Sequence, residues 1–169
     1  MRSTGVAFLL PLLVSLASAQ GASVQTYGVG CTFNGQQLAI GTTGLPQLGT
    51  TFQLTYSGPN LNLVVNVVQP GIALGLGAAA SPLPVTLLPL QPPGCWQQTT
   101  AEVQTLMALR PIGYYYNFYN LPVPNDPTLI GFQFTAQWFA IAVQCSPVGA
   151  PCNFVALPTS NAALMTVGL

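Results

Sequence analysis

The most regular segment of the chain is Thr50-Thr51-Phe52-Gln53-Leu54-Thr55-Tyr56. Phe52, Leu54 and Tyr56 alternate with polar residues, so in an extended backbone they share one apolar face and leave the other face polar. A period of two residues is typical of a half-buried β-strand. The segment is therefore predicted to be a strand whose apolar face lies in a core.

Similar runs follow this segment along the chain. Short runs rich in β-branched and aromatic residues are separated by Gly and Pro clusters at residues 61–68, 84–88, 114–121 and 131–143. Many short strands divided by such turns are typical of all-β domains. We predict an all-β fold, an antiparallel β-sandwich of jelly-roll or immunoglobulin-like type.

Residues 99–110 permit two structures. Thr99 and Glu102 have the spacing of a helix capping box, and Pro111 would end the helix. As a strand, the segment alternates from Val103 onward. Local propensity favours the helix, but the surrounding β pattern favours the strand, and tertiary context often overrides weak propensities. We expect a strand.

The amino terminus has the order of a secretory signal peptide. Arg2 precedes an apolar run over residues 6–16, and Ala17-Ser18-Ala19 supplies small residues for cleavage. The run is too short for a transmembrane helix, which needs roughly 20 apolar residues. We expect a signal peptide at residues 1–19 and one domain at residues 20–169, secreted to the extracellular space or the cell surface, with no membrane span after cleavage.

The four cysteines predict two disulfides, because thiols are oxidised outside the cytoplasm. Sequence alone allows three pairings. We favour Cys31 with Cys95 and Cys145 with Cys152, since the two prolines and the glycine between the last two can turn the chain back. A zinc site is disfavoured, because the chain has no His and no Cys-x-x-Cys.

Charge is almost absent from the predicted mature chain. Glu102, Arg110 and Asp126 are its only charged side chains, and the sequence contains no His or Lys. Acid–base catalysis needs groups that titrate near the working pH, and nucleic-acid binding needs clustered Lys and Arg. We expect no catalytic residues, metal, cofactor or nucleic-acid partner.

The two carboxylates allow two functional hypotheses, both disfavoured. Glu102 and Asp126 could be a glycosidase pair, but no motif brings them together. Asn125 and Asp126 could bind calcium, but no further acidic residue is nearby. In Asn125-Asp126-Pro127 we instead expect Asn125 to cap a short turn that begins with Pro127 and ends before Gly131.

Aromatic residues are concentrated at residues 114–119. In a strand, Tyr115, Asn117 and Tyr119 would share one face, and exposed rings there could stack on a glycan or contact another protein. A strand packed on both faces is the favoured alternative, because aromatic residues are common in strands. We expect Trp96 and Trp138 to lie in the core.

Five blocks punctuated by Gly, Pro and aromatic residues occur in a defined order: Tyr27-Gly28-Val29-Gly30-Cys31, Gly44-Leu45-Pro46-Gln47-Leu48-Gly49-Thr50-Thr51-Phe52, Pro93-Gly94-Cys95, Val123-Pro124-Asn125-Asp126-Pro127-Thr128-Leu129-Ile130-Gly131 and Phe134-Thr135-Ala136-Gln137-Trp138. Their order resembles that of a small secreted β-rich module in extracellular proteins of planctomycete bacteria. The resemblance covers residues 26–168. It implies a sandwich-like fold, export and a Cys31–Cys95 bridge, while Cys145 and Cys152 lie outside the pattern. It implies no activity or ligand.

A surface with almost no charge lacks the repulsion that keeps proteins apart, and strand edges without Lys lack their usual protection. We therefore expect a structural or self-assembling extracellular protein, such as a filament, sheath or adhesive component, that forms a homo-oligomer or polymer. The alternative is a carbohydrate-binding or adhesion module that contacts an extracellular glycan through Tyr115, Asn117 and Tyr119.

Overall fold

The computed structural model describes residues 21–33, 36–57, 67–83, 94–108, 110–111, 116–144 and 151–169. The predicted signal peptide at residues 1–19 lies outside these ranges. So do the strand predicted at residues 84–88 and most of the strand predicted at residues 61–68.

The described residues are almost entirely β-structure, with a single 3-10 turn at Pro127–Leu129. No helix among them is long and apolar enough to cross a membrane. The strands are β1 Ser23–Tyr27, β2 Thr32–Phe33, β3 Gln36–Gln37, β4 Ala39–Thr43, β5 Thr51–Ser57, β6 Val67–Gly75, β7 Ala78–Pro82, β8 Trp96–Thr99, β9 Val103–Leu106, β10 Arg110–Pro111, β11 Tyr116–Pro122, β12 Gln133–Gln144, β13 Asn153–Ala156 and β14 Thr159–Thr166.

The main sheet has seven strands, and all of its pairs are antiparallel. Its path runs β1-β14-β12-β6-β10, with β13 also paired to β12 and β9 also paired to β6. The longest strand, β12, therefore has neighbours on both sides, whereas β1 and the pair β9 and β10 form opposite edges.

A second sheet of three strands, in the order β11-β5-β4, packs on one face of the main sheet. Tyr56 on β5 contacts Trp138 on β12 with ring centroids 5.8 Å apart, and Phe52 contacts Phe134 at 6.3 Å. Phe52, Leu54 and Tyr56 are all buried, as their alternation predicted. The predicted all-β, sandwich-like fold is confirmed.

A hairpin of β7 and β8 covers the opposite face of β12. The Thr99 and Thr135 hydroxyl oxygens lie 2.7 Å apart, and the side-chain amide of Gln137 donates to the Trp96 carbonyl at 2.8 Å. The Gln98 backbone amide in turn donates to Gln137 Oε1 at 2.8 Å. Gln137 is buried but hydrogen-bonded, so around Thr135 and Gln137 the second face of β12 is closed by a polar layer.

The strand prediction for residues 103–106 is confirmed, because they form β9 and pair with β6. Ala101 has a positive φ of 58° and separates β8 from β9. Ala101 therefore breaks the helical conformation that the capping-box spacing of Thr99 and Glu102 would favour. The strand forms instead because it pairs with β6, which is distant in the sequence.

The predicted Cys31–Cys95 disulfide is present, with Cα atoms 4.7 Å apart. Cys152 is also disulfide-bonded, and its predicted partner Cys145 lies outside the described residues. Trp138 is fully buried as expected, but the prediction for Trp96 was wrong, since its side chain is 40% exposed. Trp96 lies in the outer hairpin rather than between the two large sheets.

Candidate functional site

One concave feature of the described residues is an apolar pocket of about 350 Å³ between the main sheet and β11. Leu76, Val103 and Phe132 are largely exposed beside it. We call it the apolar pocket, and it is lined by Leu74, Gly75, Leu76, Glu102, Val103, Leu121, Pro122, Val123, Pro124, Leu129, Phe132, Phe134 and Val167.

Aromatic contacts fix one wall of the apolar pocket. Phe132 and Phe134 stack with ring centroids 6.3 Å apart and an interplanar angle of 23°. Phe134 also contacts Phe52 in the core. The wall is therefore continuous with the packed interior.

Among the described residues that line the apolar pocket, Glu102 is the one that carries a charge. Its Oε2 accepts hydrogen bonds from the Thr100 hydroxyl at 2.6 Å and from the Leu76 backbone amide at 3.0 Å. The Thr100 hydrogen bond is the main cause that holds the pKa of this exposed carboxyl below its usual value. Glu102 is therefore an anion at neutral pH, and it connects the start of β9 to the end of β6.

Asp126 has a separate, local role. Its Oδ1 accepts from the Thr128 backbone amide at 2.9 Å and from the Thr128 hydroxyl at 2.8 Å. These bonds, the backbone one first, lower the pKa of Asp126. Asp126 caps the 3-10 turn, so the predicted cap at Asn125 was wrong by one residue. Pro127 occupies the first helical position, which makes the residue before it the cap.

The hypothesis of a glycosidase pair gains no support from the two carboxylates. Asp126 is not among the residues that line the apolar pocket beside Glu102. A general acid also needs a raised pKa, whereas both of these values are lowered. In the described part of the chain, no three His, Cys, Asp or Glu residues are grouped where they could hold a metal ion.

The predicted contact residues on β11 are only partly described. Tyr115 and the side chain of Asn117 lie outside the description. Tyr119 is half-buried, pairs in register with Leu54 and packs against the core. Its neighbour Phe118 is 51% exposed, so the open face of β11 presents Phe118. Alternation predicted two faces for this strand but could not tell which one would pack against the core.

One edge of the main sheet is formed by β1, which we call the β1 edge. Its residues, Ser23 to Tyr27, pair with β14 without a register shift, and Gln25 and Thr26 are exposed. The Tyr27 hydroxyl donates to the Gln98 carbonyl at 2.7 Å and holds the end of the strand against the hairpin. No residue of β1 is charged.

The opposite edge is formed by β9 and β10, which we call the β9–β10 edge. Glu102 directly precedes β9, and Arg110 begins β10. Val103 is 54% exposed and Leu106 is 50% exposed. Both strands pair with β6, so they continue one another along the same border of the sheet.

Comparisons with known proteins do not assign the chain to a family. No family model matches it, and no curated protein or solved structure matches it either. The resemblance to the planctomycete module therefore stays a prediction that rests on the order of its five sequence blocks.

Proposed function

We propose that this protein is a secreted structural component that assembles with further copies of itself at the cell surface or outside the cell. The observation that carries the proposal is the β1 edge, a strand of five residues with no charged side chain. Edge strands normally carry Lys, other charges or Pro, because unpaired backbone groups can otherwise pair with another chain.

A second copy of the chain is the proposed occupant of the β1 edge. Two copies have little electrostatic repulsion to overcome, because the predicted mature chain carries only three charged side chains, Glu102, Arg110 and Asp126. The exposed Gln25 and Thr26 side chains are compatible with a neighbouring strand. The added backbone hydrogen bonds would extend the main sheet from one subunit into the next, as in β-strand addition.

The proposal assigns no catalytic step to the protein. Glu102 and Asp126 each stabilise a local turn and are anionic at neutral pH, which supports a structural role for both. The carbohydrate-binding alternative through Tyr115, Asn117 and Tyr119 stays a prediction. The half-buried position of Tyr119 does not add support to it.

Assembly can be measured on the purified secreted protein by sedimentation and electron microscopy over a range of concentrations. We expect polymers that grow with concentration, and we expect Gln25→Lys to abolish them by placing a charge on the β1 edge. Gln37→Lys is the matched control, because Gln37 is exposed on the short strand β3 outside the main sheet.

A protein that stays monomeric at tens of micromolar would contradict the proposal. Equal loss of polymers with Gln25→Lys and with Gln37→Lys would also count against the β1 edge, because both variants change the net charge by the same amount.

A further inference from the structure

The apolar pocket has the size and the lining of a small-molecule site. Ligand pockets in proteins have volumes of roughly 300 to 1,000 Å³ and mostly apolar walls with few polar groups, and this one measures about 350 Å³. A dry cavity of about 150 Å³ is enough to hold benzene. The apolar pocket therefore has room for an aromatic ring with a short alkyl chain.

The walls of the apolar pocket suit the hydrocarbon part of such a ligand. Phe132 and Phe134 stack along one side with ring centroids 6.3 Å apart, and Phe132 is 44% exposed. Leu76 and Val103 are more than half exposed beside the pocket. A ligand that covers these side chains removes apolar surface from water, and this removal favours binding.

Gly75 allows the chain before β9 to approach the apolar pocket closely. A Cβ at Gly75 would overlap the Thr99 hydroxyl oxygen. A larger residue would therefore push the connection between β8 and β9 away from the end of β6. With glycine at this position, the Thr100 amide donates to the Gly77 carbonyl at 3.0 Å, and Glu102 is held in the lining of the pocket.

The Glu102 carboxylate is already oriented and has one oxygen to spare. The Thr100 hydroxyl and the Leu76 amide both donate to its Oε2. Within the described part of the chain, no other residue donates to Oε1, so this oxygen is left to accept a bond from a ligand. A group that is held in place before binding loses little freedom when the ligand arrives, which preserves affinity.

We propose that the apolar pocket binds a small apolar amine, with its hydrocarbon part against Phe132 and Leu76 and its ammonium group on Glu102 Oε1. The sign of the charge selects this ligand class, because the Glu102 anion attracts an ammonium group and repels the carboxylate of a fatty acid. The sequence contains no Lys, so a second copy of the chain has no lysine ammonium to offer, which favours a foreign molecule as the occupant.

The inference goes beyond the proposed function and does not depend on it. No residue of β1 is among the described residues that line the apolar pocket. Assembly through the β1 edge and binding of an amine therefore involve different residues, and each can be measured without the other.

Binding of 3-phenylpropylamine to the secreted protein can be measured by saturation-transfer NMR, which observes the small molecule and works whether or not the protein is assembled. The matched probes are 3-phenyl-1-propanol, which is neutral, and 3-phenylpropanoate, which is anionic. We expect a dissociation constant on the order of 1 mM for the amine, weaker binding of the alcohol and the weakest binding of the carboxylate. The preference for the amine over the alcohol should shrink as salt rises.

Glu102→Gln tests the role of the charge. It should weaken binding of the amine about fivefold, since an exposed ion pair contributes modestly, and it should leave binding of the alcohol unchanged. Unchanged binding of the alcohol shows that the pocket is still folded. Asp126→Asn is the matched control, because it removes the same charge from a carboxylate that does not line the apolar pocket, and it should leave the affinity for all three probes unchanged.

Phe132→Ala tests the apolar wall. It should weaken binding of the amine and of the alcohol alike, by roughly threefold or more, because both probes lose the same apolar contact. Phe118→Ala is the matched control, since Phe118 is 51% exposed on β11 but does not line the apolar pocket. It should change neither affinity.

Four outcomes would overturn the inference: no binding of any probe, equal affinity for the amine and the carboxylate, equal effects of Glu102→Gln and Asp126→Asn on the amine, or equal effects of Phe132→Ala and Phe118→Ala. None of these outcomes bears on polymerisation of the unsubstituted protein. A failure to polymerise would defeat the proposed function and leave the amine site standing, so the two failures are distinguishable.

Discussion

The two edges of the main sheet are held and charged differently. The β1 edge pairs with β14 in unbroken register and contains no charge. The β9–β10 edge shifts its register along β6 and is bounded by Glu102 and Arg110. A chain with almost no charge therefore uses two of its charges on one edge and leaves the other without any.

The contacts that hold each edge differ in the same way. Just after β1, Gly30 passes closely by another strand and Cys31 forms the disulfide, so the β1 edge is anchored by tight packing and a covalent bond. The β9–β10 edge is held by polar contacts, including the Glu102 bond to the Leu76 amide and a 3.2 Å hydrogen bond from Gln69 Nε2 to the Met107 carbonyl. Substitutions in these contacts should therefore affect the stability and the amide exchange of the two edges differently.

Removal of the Cys31–Cys95 disulfide should have the largest effect. The bond joins residues 64 positions apart, and closing a loop of that length is worth about 4 kcal/mol in the chain-entropy model. A Cys31→Ala/Cys95→Ala protein should lose about that amount in urea unfolding, and its amide exchange should rise more in β1 than in β9. Equal acceleration at both edges would show that the disulfide does not anchor β1 selectively.

Gly30→Ala should have the next largest effect. A Cβ at Gly30 would overlap the Leu38 carbonyl oxygen and crowd the Asn161 amide, and because these are backbone atoms the substitution should cost about 2 to 3 kcal/mol. Gly21→Ala is the control, since a Cβ at Gly21 has nothing within 4 Å. Urea unfolding that leaves both variants equally stable would contradict the close approach seen beside β1.

The sequence predicted those elements whose environment is set locally. Strict alternation in residues 50–56 identified β5 and the buried side chains Phe52, Leu54 and Tyr56, because one side of that strand faces the core. The Cys31–Cys95 pair was also correct. The cap of the 3-10 turn was placed one residue early, since Pro127 itself fixes Asp126 as the preceding cap.

Apart from the Cys31–Cys95 bridge, the features that depend on distant pairing could not be predicted from local patterns. The apolar pocket combines residues from β6, β9, β11 and the 3-10 turn, which are far apart in the sequence. The exposed face of β11 depends on the register that pairs Tyr119 with Leu54. The exposure of Trp96 follows from a hairpin that covers β12, and no local pattern marks β8 as an outer layer.

Alkaline pH should loosen both edges together. Burial raises the pKa of the Tyr56 hydroxyl far above its usual value, because the core disfavours the phenolate. A folded-state pKa above the unfolded value gives stability that is complete below the unfolded pKa of about 10 and is lost as the pH rises further. Urea midpoints measured from pH 8 to 12 should fall above that value, whereas Tyr56→Phe should reduce the fall.

Both edges should respond equally to alkaline pH because of the position of Tyr56. It packs against Trp138 on β12, the strand that lies between the two edges. Once amide exchange rates are corrected for their intrinsic dependence on pH, exchange should therefore accelerate equally in β1 and β9 as the pH rises. Acceleration confined to one edge would contradict the central role of this contact.

Glu102→Gln should have the smallest effect, and it should be confined to the β9–β10 edge. The Glu102 carboxylate is exposed, and its pKa is lowered by hydrogen bonds to Thr100 and Leu76. A lowered folded-state pKa gives stability that is present above the unfolded pKa and is lost as the pH falls through the folded value. Substitution by Gln keeps a hydrogen-bond acceptor but removes the charge, so the global urea midpoint should barely change.

The Leu76 amide should exchange faster, because a neutral acceptor binds an amide more weakly than a carboxylate does. The amides of β1 report no such change if the two edges are held independently. Faster exchange in β1 would mean that the loss is transmitted through β6, β12 and β14, and the edges would then be one cooperative unit.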